Sequence, residues 1–420
     1  MRSRPRRMLL VVAATLVATA GVAIAAPRPG TLDRTFHGSG RFSLAFPGGS
    51  DGNAVAMQGR KIVVAGDAGF EAAENIAVIR LTANGKLDRT FGGGDGRFLF
   101  DLFGDADLAS AVAVLPDQKI LVAGQGFDPG AMIDRFLVIR LTANGTLDRT
   151  FGGGDGIVTT TFGVDGASGT SMTVLPDGRF VVCGYTGGST PMFALARYRP
   201  GGGLDRTFGG TGTVTTAFPG NSEAFCNAVT HVGNQVVAVG RAFDGLAVTS
   251  FAVARYRADG SLAPGFEGDG RALFSPLLTD DEATGVVPLP HGSVVVAGSV
   301  RDMSRSDVAL IQILRNGTLD PAFGGGDGIK LYDPGSADSS EGLLRQPNGK
   351  LVLVGFRNPD MFVARFRPGG AVDTGFGNGG LQARPWPGPS VAAAAVWDAG
   401  AIVVAGSANR ARFAVERLHG

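Results

Sequence analysis

The chain has only two cysteines and four histidines in 420 residues. Two cysteines exclude a disulfide scaffold, and four scattered histidines make a multi-histidine metal centre improbable. Two tryptophans are too few for a propeller that docks its blades, or a quinone cofactor, on tryptophan. Charged residues make up 18 %, with 38 Lys+Arg against 37 Asp+Glu. Such a balance argues against a broadly basic nucleic-acid surface and against an acidic solvating tail. The apolar content of 44 % is enough to build a core and excludes global disorder. Helix signals are missing too: no segment keeps apolar residues at spacings of three and four between caps. Beyond residue 26 no apolar run of about 20 residues occurs, so no further membrane span is expected.

What is abundant is glycine, 67 residues, and one recurring element. Met1–Arg7 carries four arginines, an apolar stretch runs from Met8 to Ala25, and Ala23-Ile24-Ala25-Ala26 closes it. This is the pattern of a secretory signal peptide over residues 1–26, with an uncleaved anchor as the alternative. Arg6-Arg7 before Met8-Leu9-Leu10 weakly resembles a twin-arginine signal, but an ordinary basic leader explains it. The expected mature chain, 27–420, is a secreted or cell-envelope protein without a membrane span, and a monomer is expected.

Leu-Asp-x-x-Phe appears with its phenylalanine at 36, 91, 151, 208, 266, 323 and 376. Seven units of about 57 residues therefore fill the chain from residue 30 onward. In the unit after Phe91, short strands are predicted over Gly96–Phe103, Leu108–Leu115, Ile120–Ala123 and Phe136–Thr142. The third, like Val294-Val295-Val296-Ala297, is an unbroken apolar run and reads as a strand buried on both faces. A glycine follows it in all seven units, at 66, 124, 184, 240, 298, 355 and 406. Four strands per unit and seven units predict an all-β fold, a seven-bladed β-propeller of four antiparallel strands per blade, in one domain. An open β-solenoid would need terminal caps that the sequence lacks.

Arginine recurs in the fourth strand, at 80, 140, 197, 255, 365 and 417, with Gln312 once in its place. An aspartate follows eight residues later at 88, 148, 205 and 373. A two-residue Asn84-Gly85 turn would set Leu81 opposite Asp88, so Arg and Asp meet at each blade junction. The pair reads as structural rather than as a ligand-binding ring, worth about 0–1 kcal/mol if exposed. Asp33 lacks a preceding arginine and Arg417 a following aspartate, so residues 30–36 are expected to dock on the last unit and close the ring.

Leu-Asp-x-x-Phe-Gly, Leu-Pro-Asp-Gly-Arg-Phe-Val-Val and Phe-x-x-x-Arg-(Leu/Tyr)-x-x-x-Gly together resemble the delta-60 repeat family of bacterial proteins. The resemblance covers nearly all of 27–420 and implies an exported or surface β-propeller, with no catalytic residue set to carry over. Ala263 for Asp, Gln312 for Arg and Trp397-Asp398-Ala399-Gly400 for the Pro-Asp-Gly turn depart from the pattern.

Candidate chemistry is sparse. Phe-Gly-Gly-Gly-Asp-Gly at 91–96, 151–156 and 323–328 resembles calcium-binding repeats. Single copies so far apart are better read as turns, so no cofactor is predicted and calcium is a minor alternative. No helix follows these segments to make them dinucleotide fingerprints. His37, His231, His291 and His419 are read as surface or loop residues. Cys183 and Cys226 are read as two buried thiols, with a disulfide as the alternative. Asn144-Gly145-Thr146 and Asn316-Gly317-Thr318 are turns that happen to match a glycosylation pattern.

If the first strand of each unit lines the central channel, then Asp101, Lys330 and Asp333 are the candidate binding residues at its mouth, among small polar residues such as Thr159 and Thr213. Irregular insertions at Phe127–Asp134, Thr279–Thr284 and Arg301–Asp307 are candidate partner loops. The expected function is a non-catalytic binding module for an unidentified macromolecule or small ligand, with no nucleic-acid partner. An extracellular propeller enzyme, a glycan hydrolase or lyase or a quinone-dependent dehydrogenase, is the alternative.

Overall fold

A computed structural model describes residues 26–420 apart from 70–73, 103, 221–222, 244–247, 278–279, 302–305, 336–337 and 410. Twenty-eight strands form seven four-stranded antiparallel sheets. Blades one to six span residues 50–100, 107–160, 167–216, 224–274, 282–332 and 338–383. In blade two the order from the channel outward is Asp107–Val114, Ile120–Asp128, Ile133–Leu141 and Ile157–Thr160. The innermost strands pack against one another all the way round the ring. Apart from a single 3-10 turn at Pro290–Gly292, the described residues hold no helix.

Blade seven closes the ring. Its inner three strands come from the C-terminus and its outer strand, Arg41–Ala45, from the N-terminus, paired with Arg412–His419. Leu32 bridges Leu418, the Asp33 amide donates to the Arg417 carbonyl at 2.8 Å, and Asp33 pairs with Arg417 at 3.3 Å. The expected docking of 30–36 is borne out, and it extends through Ala45.

The phase of the repeat differs from the sequence expectation. The strand after each Leu-Asp-x-x-Phe belongs to the preceding blade and is its outermost strand, not the channel-lining one. The cause is the tight connection at the Leu-Asp element. Thr82 to Lys86 closes as a three-residue loop, in which Gly85 takes φ 80°, and Leu81 bridges Leu87. That loop is one residue longer than expected, and it returns the chain beside the strand it has just left.

The predicted apolar strand is the second of each blade and is sealed between neighbouring blades: Ile62, Val63, Val64 and Ala65 are all fully buried. The glycine after this run does not end the strand, which continues to Asp128 in blade two. It makes room for a β-bulge in the inner strand. A Cβ on Gly124 would lie 1.9 Å from the Leu108 carbonyl oxygen, and Gly66, Gly184, Gly240 and Gly406 face the same obstruction. The inner strand slips register at one equivalent place in every blade, between Ala109 and Ala111 in blade two. Bulges re-aim the extra side chain, so the fold supplies a ring of seven displaced residues around the channel.

The Arg–Asp pair is buried rather than exposed. Arg80, Arg197 and Arg365 are almost completely covered, and each Nε donates to its aspartate at 2.8 Å (Asp88, Asp205, Asp373). The guanidinium lies 4.7 Å above the Phe91 ring in one case and 4.6 Å above Phe208 in another. It also donates to a carbonyl of the following blade, Ala143 for Arg80, Pro200 for Arg140 and Ala258 for Arg197. The same aspartate usually receives a second cation from the turn, Lys61, Lys119, Arg179 or Lys350. Burial raises the carboxyls of Asp88, Asp148 and Asp205. Hydrogen bonds from threonine and the turn cation, with the buried arginine's charge, outweigh it and hold them well below the usual range. Where the motif departs, partners are replaced: Gln312 donates to Asp320, and Arg255, facing Ala263, donates to Gln235 at 2.9 Å and to the Gly292 carbonyl at 2.9 Å.

Candidate site at the upper mouth of the channel

We call the face where inner strands begin the upper face and the face where they end the lower face. The seven bulge residues are Asn53, Ser110, Thr170, Asn227, Thr284, Glu341 and Ala393, read from the register slips. Several reach across to the next blade. Asn53 donates to the Ala109 carbonyl at 3.1 Å, Thr170 to that of Cys226 at 2.7 Å and Asn227 to that of Ala283 at 3.0 Å, while Thr284 donates to Ser340 Oγ at 3.0 Å. The residues flanking each bulge are Gly, Ala, Ser or Cys, because neighbouring inner strands approach closely there.

Two residues above the bulge the seven positions mix acidic, hydroxyl, aliphatic and aromatic side chains: Asp51, Leu108, Ser168, Phe225, Glu282, Ser339 and Val391. Here the repeat symmetry is lost, and here two cavities adjoin. One, of about 290 Å³, is lined by Thr170, Asn227, Glu282, Thr284, Ser299, Arg301, Ser339, Ser340 and Glu341. The other, of about 240 Å³, shares Glu282, Ser299 and Arg301 and adds Glu223, Arg241, Phe243, Thr249 and Asp280. Glu282 accepts from Asn227 at 2.9 Å and from Arg241 at 3.4 Å, and Arg241 lies 4.7 Å over the Phe225 ring. Phe225 in turn meets Tyr185 edge-on at 4.9 Å. Glu341 is open to the channel yet walled in by its neighbours. That enclosure pushes its carboxyl above the usual range, the Glu282 charge adds to it, and the Ser339 hydroxyl at 2.8 Å and Arg301 oppose it. The mouth thus offers hydroxyls, an amide, two arginines and four carboxylates, of which Glu282 and Glu341 sit in unlike environments.

Three further carboxylates lie at the start of inner strands. Asp107, Asp281 and Asp338 are buried, and each holds the preceding loop by accepting a backbone amide, from Leu102, Leu277 and Gly335. Among the described residues the Oδ1 atoms of Asp107 and Asp338 find no partner. Burial pushes all three carboxyls up to about 6. Burial likewise raises Asp67, opposite Asp51, to about 7 despite the 2.6 Å bond from Asn53.

The residues expected to line the mouth are elsewhere. Lys330 is on the outer strand Ile329–Tyr332 of blade five, and Asp333 follows it, exposed, accepting the Gly335 amide at 2.7 Å. Asp101 follows the outer strand of blade one and accepts the Gly104 amide at 2.5 Å. Blades one and five are not neighbours, so Asp101 is not brought to the other two. Two irregular segments do frame the site: 279–284 supplies Asp280, Glu282 and Thr284, and 301–307 supplies Arg301. Thr279 and 302–305 lie outside the described residues. The third, Phe127–Asp134, is a hairpin end on the same face, tied by Asp128 to Arg135 at 2.6 Å. Sequence reading missed Asn227 and Glu341, although small residues two apart in each inner strand mark the bulge between them.

The remaining motifs have structural roles. Asp95, Asp155 and Asp327 of the Gly-Gly-Gly-Asp segments accept the amide two residues on, at 2.9–3.0 Å, as turn formers. Cys183 and Cys226 are free thiols buried together between blades three and four, and burial with the neighbouring thiol raises Cys226 well above its ordinary value. His37 meets the Gly85 carbonyl at 3.0 Å and His231 the Thr173 hydroxyl at 3.1 Å.

Five segments, 60–91, 115–151, 175–208, 289–323 and 346–376, match the domain of unknown function (DUF5122) beta-propeller. The chain is a β-propeller repeat protein. The unit ending at Phe266, which carries Ala263 and lends Asn227, Arg241 and Glu223 to the mouth, is outside the matched segments. No curated protein matches the chain. Among solved structures it is similar to a catalytically inactive virginiamycin B lyase from Staphylococcus aureus with quinupristin. The TM-score is 0.52 and the identity 10 %, over 90 % of this chain and 99 % of that one. It is also similar to Drosophila Semaphorin 2a, with a TM-score of 0.51 and 9 % identity over 90 % of this chain and 75 % of that one. At such identities the likeness concerns the fold, and function has to be argued from the site.

Proposed function

We propose that the chain is an exported, non-catalytic binding module that takes a small, hydroxyl-bearing polar ligand in the upper mouth beside blades four to six. The observation that carries this reading is the loss of repeat symmetry in one layer of the channel, where two polar cavities meet at Glu282, Ser299 and Arg301. A repeat scaffold needs no such departure for stability, whereas recognition of an asymmetric ligand does. Export rests on the basic leader and apolar run of residues 1–26, with cleavage before residue 27. A thermal-shift screen of residues 27–420 against neutral and acidic oligosaccharides tests the site. A saturable stabilisation that Arg301→Ala and Glu282→Gln remove supports it, since a ligand at about 100 times its Kd adds roughly 2.7 kcal/mol. Stabilisation that survives both substitutions refutes the assignment.

A second reading, an enzyme acting on extracellular glycans, draws on Glu341. A carboxyl raised by enclosure beside an ion-paired glutamate is the arrangement that separates an acid from a base. Turnover of a bound oligosaccharide that Glu341→Gln abolishes without loss of binding would favour it.

A further inference from the structure

The near-neutral composition hides a separation of charge. When each blade is divided at mid-strand, the described upper half carries eighteen Asp and Glu against six Arg. The lower half carries twenty-six Lys and Arg against sixteen Asp and Glu. Much of the lower charge is spent on the buried Arg–Asp pairs, but one group is not. Every blade presents an exposed arginine where its third strand crosses to its outer strand: Arg89, Arg149, Arg206, Arg257, Arg315, Arg367 and, on blade seven, Arg34. These guanidinium groups hold no salt bridge to a described residue, although buried aspartates lie within a few positions of most of them. Four occupy the residue after the Leu-Asp aspartate, and three stand in the preceding turn. The ring is therefore kept by two different positions of the repeat, which no single turn requirement explains. The same face also exposes carboxylates such as Asp95, Asp117, Asp155 and Asp259, but its cations still outnumber its carboxylates by ten, and that surplus repels itself unless a partner of opposite sign meets it.

We propose that the lower face docks on an anionic phospholipid surface. A closed ring with one cation per blade is matched by a plane of headgroups; a linear polyanion would meet only part of it. The large exposed apolar side chains, Leu99, Met132 and Val164, are on the upper half, so contact below is electrostatic and at headgroup depth. The chain also enters the propeller on this face, with the Gly30 amide on the His419 carbonyl at 2.7 Å and the Gly377 amide on that of Pro29 at 2.9 Å. The acidic upper face, with the candidate ligand mouth, turns away from the bilayer.

The test is co-sedimentation of residues 27–420 with vesicles of phosphatidylcholine alone or mixed with phosphatidylglycerol, at low and high salt. The expected result is binding only to the anionic vesicles, weakened at least about tenfold by salt. Each single Arg→Gln substitution in the ring should cost roughly fivefold, and Arg34→Gln, Arg89→Gln, Arg149→Gln and Arg206→Gln combined about a hundredfold or more. Arg301→Gln on the upper face should leave vesicle binding unchanged. Equal binding to both vesicle types, or an unaffected fourfold variant, overturns the proposal. Retention by polyphosphate without vesicle binding also overturns it and makes the partner a linear polyanion. None of these outcomes depends on the ligand mouth, so the two proposals fail separately.

Discussion

The two faces of this propeller are built by the same repeat and differ in how strictly they keep it. On the lower face blades one to three repeat the same buried staple, arginine on phenylalanine, aspartate, and a carbonyl of the next blade, and blades six and seven keep two of its three contacts. On the upper face the equivalent residues differ from blade to blade, three aspartates are buried with carboxyls raised by that burial, and the polar cavities open. The lower face is where blade contacts are secured, so its sequence is constrained by neighbours that recur. The upper face secures blade contacts through residues that change from blade to blade, and it carries groups whose burial works against stability. Such groups mark functional sites more often than they mark structural ones.

That contrast can be broken first at the closure. Deleting residues 27–45 removes the outer strand and the Asp33 partner of Arg417, and should leave no cooperative thermal transition near that of the parent. An unchanged melt would mean that the ring closes without its N-terminus. Gly124→Ala comes next, because the added Cβ meets a backbone oxygen that cannot move without undoing the bulge. A loss of about 3 kcal/mol or more in denaturant unfolding is expected.

Arg197→Met should cost about 3 kcal/mol by leaving the Ala258 carbonyl unpaired and Asp205 with Arg179 as its remaining cation. Arg301→Met on the upper face should change stability by less than about 0.5 kcal/mol. Similar costs for the two would erase the distinction between the faces.

The pH dependence divides the faces as well. Asp107, Asp281 and Asp338 have folded values of about 6, and Asp67 about 7, above those of the unfolded chain. Their contribution is therefore fully present below about pH 4 and is lost as pH rises through 6 to 7. Asp88, Asp148 and Asp205 are depressed, so their contribution is present above about pH 4 and is lost on further acidification. Stability should peak near pH 5. The triple variant Asp107→Asn, Asp281→Asn, Asp338→Asn should flatten the fall between pH 5 and 7.5, which melting across that range would show. The smallest effect is expected for Glu341→Gln, with a melting temperature shift of no more than about 2 °C and a changed ligand response.

Particular residues show how much could be read in advance. Leu-Asp-x-x-Phe, the apolar second strand and the recurring arginine are legible because each unit repeats a local pattern of alternation and turn residues. Asp101, Lys330 and Asp333 were misplaced because the strand after Leu-Asp-x-x-Phe stays on the sheet it has just left and forms its outer edge, and which blade a strand joins is decided by pairing rather than by local pattern. Asn227 and Glu341 escaped notice because a bulge leaves no composition of its own. Its trace is the pair of small residues flanking it and the obligatory glycine on the facing strand.

The amino-acid sequence by itself determined seven β units, their length, and the residues that staple them, since these depend on short-range pattern and repetition. Tertiary structure alone decided which strand lines the channel and that the Arg–Asp pairs are buried. It also decided that a chain of almost no net charge is acidic on one face and basic on the other. The physical reason is that charge and exposure belong to surfaces, and a surface here is assembled from turns about 57 residues apart, brought side by side only when the ring closes.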